Sequence, residues 1–207
     1  MLFENDGCFV AGLTGMSGAG KSFACGVFAE KGFSVIDCDN VSREVTARGE
    51  PALDEISRCF GAEYINDDGT LDRRKLGALV FSDAKKLKKL EDILYPYITY
   101  SIISACVGHD MVLLDAPTLF ESGADFLCDV IIGVTADREL CIGRITERDG
   151  IDRVQAENRL SSQHGEDYYK SRSYICLSNN GSESEFRKSL EKAAAKILEA
   201  KENGTFI

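Results

Sequence analysis

The string Gly15-Met16-Ser17-Gly18-Ala19-Gly20-Lys21-Ser22 fits the pattern G-x-x-x-x-G-K-[S/T], and its surroundings leave it little choice of fold. Before it stands a short apolar run, Cys8 to Thr14, that reads as a buried strand. After it, Lys21 to Lys31 places Phe23, Val27 and Phe28 at helical spacing. In a strand–loop–helix context the glycines let the backbone turn tightly and aim successive N–H groups inward. The helix that follows adds the positive end of its dipole, so anionic oxygens are held without a dedicated side chain for each. Lys21 is long enough to reach β- and γ-phosphates, and the Ser22 hydroxyl can ligate Mg²⁺. The pattern implies a nucleoside triphosphate, with ATP and Mg²⁺ the expected pair. Its cradle is Gly15, Ser17, Gly18, Ala19, Gly20, Lys21 and Ser22, with Phe23 next to it in the helix.

A second apolar run, Phe33 to Asp37, completes a βαβ unit, for which a parallel sheet is the economical solution. Met111 to Asp115, Val130 to Thr135 and the weaker Ile175 to Leu177 bring the sheet to about five strands. The expected fold class is therefore α/β, three layers around a parallel five-stranded sheet. From Glu50 to Val107 the spacing is helical throughout, marked by Ala52-Leu53-Ile56, Leu76-Leu79-Val80 and Leu87-Leu90-Ile93-Leu94, which reads as an inserted helical subdomain. Residues 137–172 are densely charged, helical in period, and carry arginines at 138, 144, 148 and 159. They read as a helical pair, able to serve as a lid, although charge alone favours a solvated surface pair. A last helix presents Phe186, Leu190, Ala193, Ala194, Ile197 and Leu198 as one stripe. The expected division is a core of 1–49, 107–136 and 173–207, an insertion of 50–106 and a lid of 137–172.

Bulk properties exclude several functions. A net charge of −10 opposes sequence-independent binding to a phosphate backbone, so no nucleic-acid partner is expected. There is no transmembrane-length apolar run and no export pattern at Met1-Leu2-Phe3-Glu4, so the expectation is a soluble, cytoplasmic protein without a membrane partner. The eight cysteines include no Cys-x-x-Cys pair, and only His109 and His164 accompany them, which opposes both a zinc site and a disulfide scaffold. Neither D-x-x-G nor N-K-x-D occurs, which places a GTP switch behind a kinase or a regulatory nucleotide-binding module.

Three carboxylates then draw notice. Asp37 and Asp39 follow the second strand; if the strand continued through them they would share a face, with Cys38 opposite. Two carboxylates together call for a cation, and Arg43, one helical turn beyond Asp39, is the nearest. Such a carboxylate can orient an acceptor hydroxyl and take its proton late in phosphoryl transfer, whereas helix capping is the plain alternative for either residue. Asp115 ends an apolar strand, where a carboxylate can hold or orient Mg²⁺ together with Ser22. Pro117 then turns the chain and Glu121 brings a further carboxylate back.

The order of motifs resembles dephospho-coenzyme A kinase over nearly the whole chain. It runs from the phosphate loop through Val35-Ile36-Asp37-Cys38-Asp39 with Arg43, then Asp68-Gly69-Thr70-Leu71-Asp72-Arg73 and Leu94-Tyr95-Pro96. It continues with Asp115-Ala116-Pro117-Thr118-Leu119-Phe120-Glu121, Arg144, Arg148-Asp149, Arg159 with Gln163, and Asn179-Asn180-Gly181. The resemblance implies transfer of the ATP γ-phosphoryl group to the ribose 3′-hydroxyl of dephospho-CoA. It aligns Asp39 with the acceptor-activating aspartate and puts Arg43, Arg73, Tyr95 and Pro117 on the acceptor side. Arg144 and Arg148 align with lid arginines that act with Lys21 on the transferred group, and Asn179 with an asparagine near the adenine. The chain departs from the family's pattern at Tyr95, where histidine is usual, at Thr118, and at Ser173-Tyr174 in place of Ala-Asp. A tyrosine keeps an aromatic contact and a hydrogen bond but carries no proton near neutral pH. A monomer and a small homo-oligomer are both compatible with the sequence.

Overall fold

The computed structural model describes residues 7–204; the Met1 to Glu4 stretch lies outside the described residues. The chain forms two compact units, one of Met1–Ile36 with Gly108–Ile207 and the other of Asp37–Val107.

The first unit is built on five strands: β1 (Phe9–Gly15), β2 (Ser34–Asp37, its last residue in the second unit), β3 (Met111–Asp115), β4 (Val130–Thr135) and β5 (Ile175–Ser178), ordered β2-β3-β1-β4-β5. β1 pairs in parallel with β3, from Phe9 opposite Met111 to Leu13 opposite Asp115. On its other side it pairs in parallel with β4, from Ala11 opposite Val130 to Gly15 opposite Val134. β4 pairs in parallel with β5. A central strand covered on both faces has no use for alternation, and every residue of β1 is buried. β2, at the edge, alternates half-buried and exposed residues.

Helix α1 (Lys21–Glu30) buries Ala24, Val27 and Phe28, and the Phe28 ring meets Phe33 edge to face at 5.2 Å. The last helix, α9 (Glu183–Glu202), begins at a reciprocal Ser182–Glu185 capping box and packs its predicted stripe into the same core.

The charged segment folds differently from its expected pair. It forms three helices, α6 (Arg138–Asp149), α7 (Arg153–Ser161) and α8 (Glu166–Arg172). Gly150, left-handed at φ 64°, ends α6, and an Asp152–Gln155 capping box starts α7 two residues later. Cys141, Ile142, Ile145, Ala156, Leu160 and Tyr169 enter the main core, while Arg153 pairs with Glu139 and Glu157 outside. The expected pair is thus three helices, each with an apolar face in the core and a charged face outside.

The second unit contains α2 (Cys38–Glu44), α3 (Pro51–Phe60), α4 (Arg73–Val80) and the 23-residue α5 (Ala84–Cys106) with Pro96 inside it. Ile56, Leu76 and Val80 form its buried centre, flanked by Leu87, Leu90, Ile93 and Leu94. Among the described residues no helix, α5 included, is long and apolar enough to cross a membrane.

Candidate active site

The phosphate loop leaves β1 and enters α1 on backbone that only glycine takes comfortably. Gly15 has φ 142°, and a Cβ there would stand 2.0 Å from the Val134 carbonyl oxygen, so the close approach of β1 and β4 requires its absence. Gly20 has φ 108° and stands before α1 with no side-chain cap on the helix N-terminus. First-turn amides have no partner within their own helix, so α1 presents uncapped donors at the loop.

Two of the loop's carbonyls are held by side chains from distant parts of the chain. Arg144 donates to Gly18 O at 3.3 Å and to Asn179 O at 3.1 Å, and the buried Asn179 donates through Nδ2 to Ala19 O at 2.8 Å. The Met16 N–H donates to Val134 O at 3.1 Å. Lys21 Nζ reaches back over the loop, donating to Gly15 O at 2.8 Å and Met16 O at 3.2 Å. Burial lowers its pKa from 10.5; the Asp115 carboxylate opposes that fall and the Arg148 charge adds to it. One turn along α1, burial and then the same Asp115 push the Cys25 thiol up to about 12. Asp115 therefore stands against the first turn of α1, the turn that bears Ser22. Phe23 stacks on Phe186 at 5.9 Å under the Arg187 guanidinium.

Arg148, exposed, is held by Asp149 through two bonds of 2.7 and 2.9 Å, and Arg159 pairs with the same carboxylate. The Arg148 guanidinium holds Asp149 below its ordinary pKa of 3.8. After β3, Pro117 O accepts from the Thr14 hydroxyl at 3.3 Å, and Glu121 lies 3.5 Å from His164. A cavity of about 580 Å³ opens at the carboxyl end of β4, lined by Met16, Asp137, Arg138, Ser161, Gln163 and Glu166. Gln163 has no site role in the sequence reading beyond its spacing from Arg159, yet it clasps Ser17 of the loop.

In the second unit the shared-face picture of Asp37 and Asp39 is corrected. β2 stops at Asp37, whose carboxylate accepts from the Asp39 N–H at 2.8 Å and the Asn40 N–H at 3.1 Å, starting α2 at once. Asp37 is the cap; Asp39 is a first-turn residue, exposed and one turn ahead of Arg43. Arg73 donates to Thr46 Oγ1 and to Arg43 O, and its pKa is lowered first by burial and then by the Arg43 charge, so two guanidiniums stand together. Tyr95 sits on α5 beside Pro96, 42% exposed.

A family model described as dephospho-CoA kinase matches residues 9–185, which takes in the loop, Asp39, Asp115 and the arginine-bearing helices. The chain belongs to the dephospho-CoA kinase family. The dephospho-CoA kinase of Shouchella clausii is 34% identical over 190 residues, covering 89% of this chain and 96% of that protein. The crystal structure of TT1252 from Thermus thermophilus superposes with a TM-score of 0.78 at 29% identity, over 91% of this chain and 97% of the other. The dephospho-CoA kinase from Campylobacter jejuni shares the fold, with a TM-score of 0.66 at 24% identity, over 92% and 97%. Like other members of the dephospho-CoA kinase family, the chain is read as an ATP-dependent kinase.

Among the described residues no three His, Cys, Asp or Glu side chains gather as a metal cluster.

Proposed function

We propose that this protein transfers the γ-phosphoryl group of ATP to the ribose 3′-hydroxyl of dephospho-CoA, giving CoA and ADP in the cytoplasm. The observation that carries the reading is the anchored loop before an uncapped helix, inside a chain matched to the family over residues 9–185. The backbone amides and Lys21 bind the triphosphate. Ser22 and Asp115 would hold Mg²⁺, which would neutralise charge on the phosphates during transfer. Asp39 orients the acceptor hydroxyl and takes its proton as the bond to phosphorus forms. A carboxylate suffices for this role because the loose transition state defers proton transfer. Arg43 and Arg73, adjacent and both cationic, suit the acceptor's diphosphate, and Tyr95 and Pro117 are assigned to the same side. Arg144 and Arg148 bring positive charge to the transferred group.

A coupled ADP-release assay across dephospho-CoA, AMP, a nucleoside and shikimate tests the reading. Turnover with dephospho-CoA far above the others is expected; good turnover of AMP with none of dephospho-CoA would refute it. Asp39→Asn is expected to lower kcat by about two orders of magnitude with ATP affinity nearly unchanged. Unaltered turnover would reduce Asp39 to a helix-terminal residue.

A further inference from the structure

Gln163 lies in the turn between α7 and α8, and its carboxamide meets the phosphate loop at Ser17 twice. The Ser17 N–H donates to Gln163 Oε1 at 2.9 Å, and Gln163 Nε2 donates to Ser17 Oγ at 3.0 Å. The first bond settles the direction of the second. A backbone amide can only donate, so the carboxamide oxygen faces it and the NH₂ group faces the hydroxyl. A hydroxyl has one proton to give and two lone pairs. With one lone pair taken by Gln163, the Ser17 proton is left for another acceptor.

The clasp is braced on both sides. The Gln163 N–H donates to Leu160 O at 3.1 Å, at the end of α7. The neighbouring His164 ring stacks on Tyr168 at 3.6 Å between centroids and lies 3.5 Å from Glu121, in the segment after β3. Two long-range restraints on the loop, those from Arg144 and Asn179, take carbonyls of Gly18 and Ala19 and leave donors untouched. Gln163 instead takes the Ser17 amide, a donor of the type that such a loop offers to phosphate, and compensates by directing a hydroxyl proton.

We propose that Gln163 is a positioning residue that makes Ser17 serve the nucleotide's phosphate through its O–H, in place of the N–H that Gln163 occupies. The proposal rests on the nucleotide half of the proposed function and is independent of the acceptor's identity. It also gives the turn between α7 and α8 a direct hold on the phosphate loop, across 146 residues of sequence.

Gln163→Glu is the informative variant. A carboxylate accepts from the Ser17 N–H as before but also accepts the Ser17 O–H, so both contacts survive while the proton turns away from the phosphate. The assay is calorimetric titration of Mg²⁺-ATP into four folded proteins, matched by thermal melting: wild type, Ser17→Ala, Gln163→Glu and the double variant. Ser17→Ala and Gln163→Glu are each expected to weaken ATP binding roughly tenfold. On the Ser17→Ala background Gln163→Glu is expected to weaken it at least threefold less than on wild type. An equal loss on both backgrounds would mean simple charge repulsion or a structural clip, and would overturn the proposal; so would wild-type affinity in either single variant. A wild type that binds ATP but does not phosphorylate dephospho-CoA defeats the proposed function and leaves the cycle readable. A wild type that binds no ATP defeats both.

Discussion

Replacing Arg144 with methionine removes the guanidinium that ties Gly18 O to Asn179 O, while the aliphatic stem over the core keeps most of its volume. The two bonds, at 3.3 and 3.1 Å, lie at or just beyond the long end of the usual N–H···O range, so each is valued at the bottom of the scale for a charged donor, about 1.5 kcal/mol. Arg144 is half-buried, and water replaces part of what is lost. Discounting the sum of about 3 kcal/mol for that solvent leaves about 1.5–2 kcal/mol of loop ordering, equivalent to about 10- to 30-fold in affinity. The expected result is an ATP dissociation constant raised by that factor in Arg144→Met, measured by titration calorimetry with melting behaviour as a control. Arg144→Lys keeps the charge but offers no fork to span two carbonyls, so it should fall between Met and wild type. Affinity within twofold of wild type in Arg144→Met would refute the view that anchoring these carbonyls organises the loop.

Two further outcomes follow from the geometry. Asp37→Ala should cost about 1 kcal/mol in denaturant unfolding through loss of the α2 cap, whereas Asp37→Asn, whose amide oxygen still accepts, should keep both stability and turnover; a collapse of kcat in Asp37→Asn would contradict a capping role. Lys21, with its pKa lowered by burial, loses its proton at lower pH than an exposed lysine, and a bound phosphate favours the charged form. ATP affinity should therefore fall as pH rises toward 10.5, with proton uptake on binding in that alkaline range; calorimetry in buffers of unlike ionisation enthalpy would detect it, and zero uptake would contradict the assignment.

Much of the fold was legible because its signals are local. The central strands stood out as apolar runs and edge strand β5 only weakly, since central parallel strands are covered on both faces and admit few polar residues; β1 is buried from end to end. The stripes of α1, α9 and the helices within 50–107 were legible by period, and the loop residues by their glycines. What misled was termination. Asp37 looks the same in sequence whether a strand runs through it or a helix starts on it, and two amide bonds to its carboxylate decide for the helix. In residues 137–172 the helical period was legible but the division into three helices was not, and Ile142, Ile145 and Leu160 are what the core absorbs.

The sequence by itself determined the phosphate loop and its neighbours, the parallel sheet, the helical character of the insertion, and the family, because each is written in residues close together or in a fixed order. Tertiary structure alone decided how the loop is held: Arg144 and Asn179 on its carbonyls, Asp115 against α1, and Gln163 on Ser17. These partners are far apart in the chain, and a hydrogen bond needs a donor and an acceptor within about 3 Å in a fitting direction. Spacing along a chain carries no such information until the sheet has brought its carboxyl ends together.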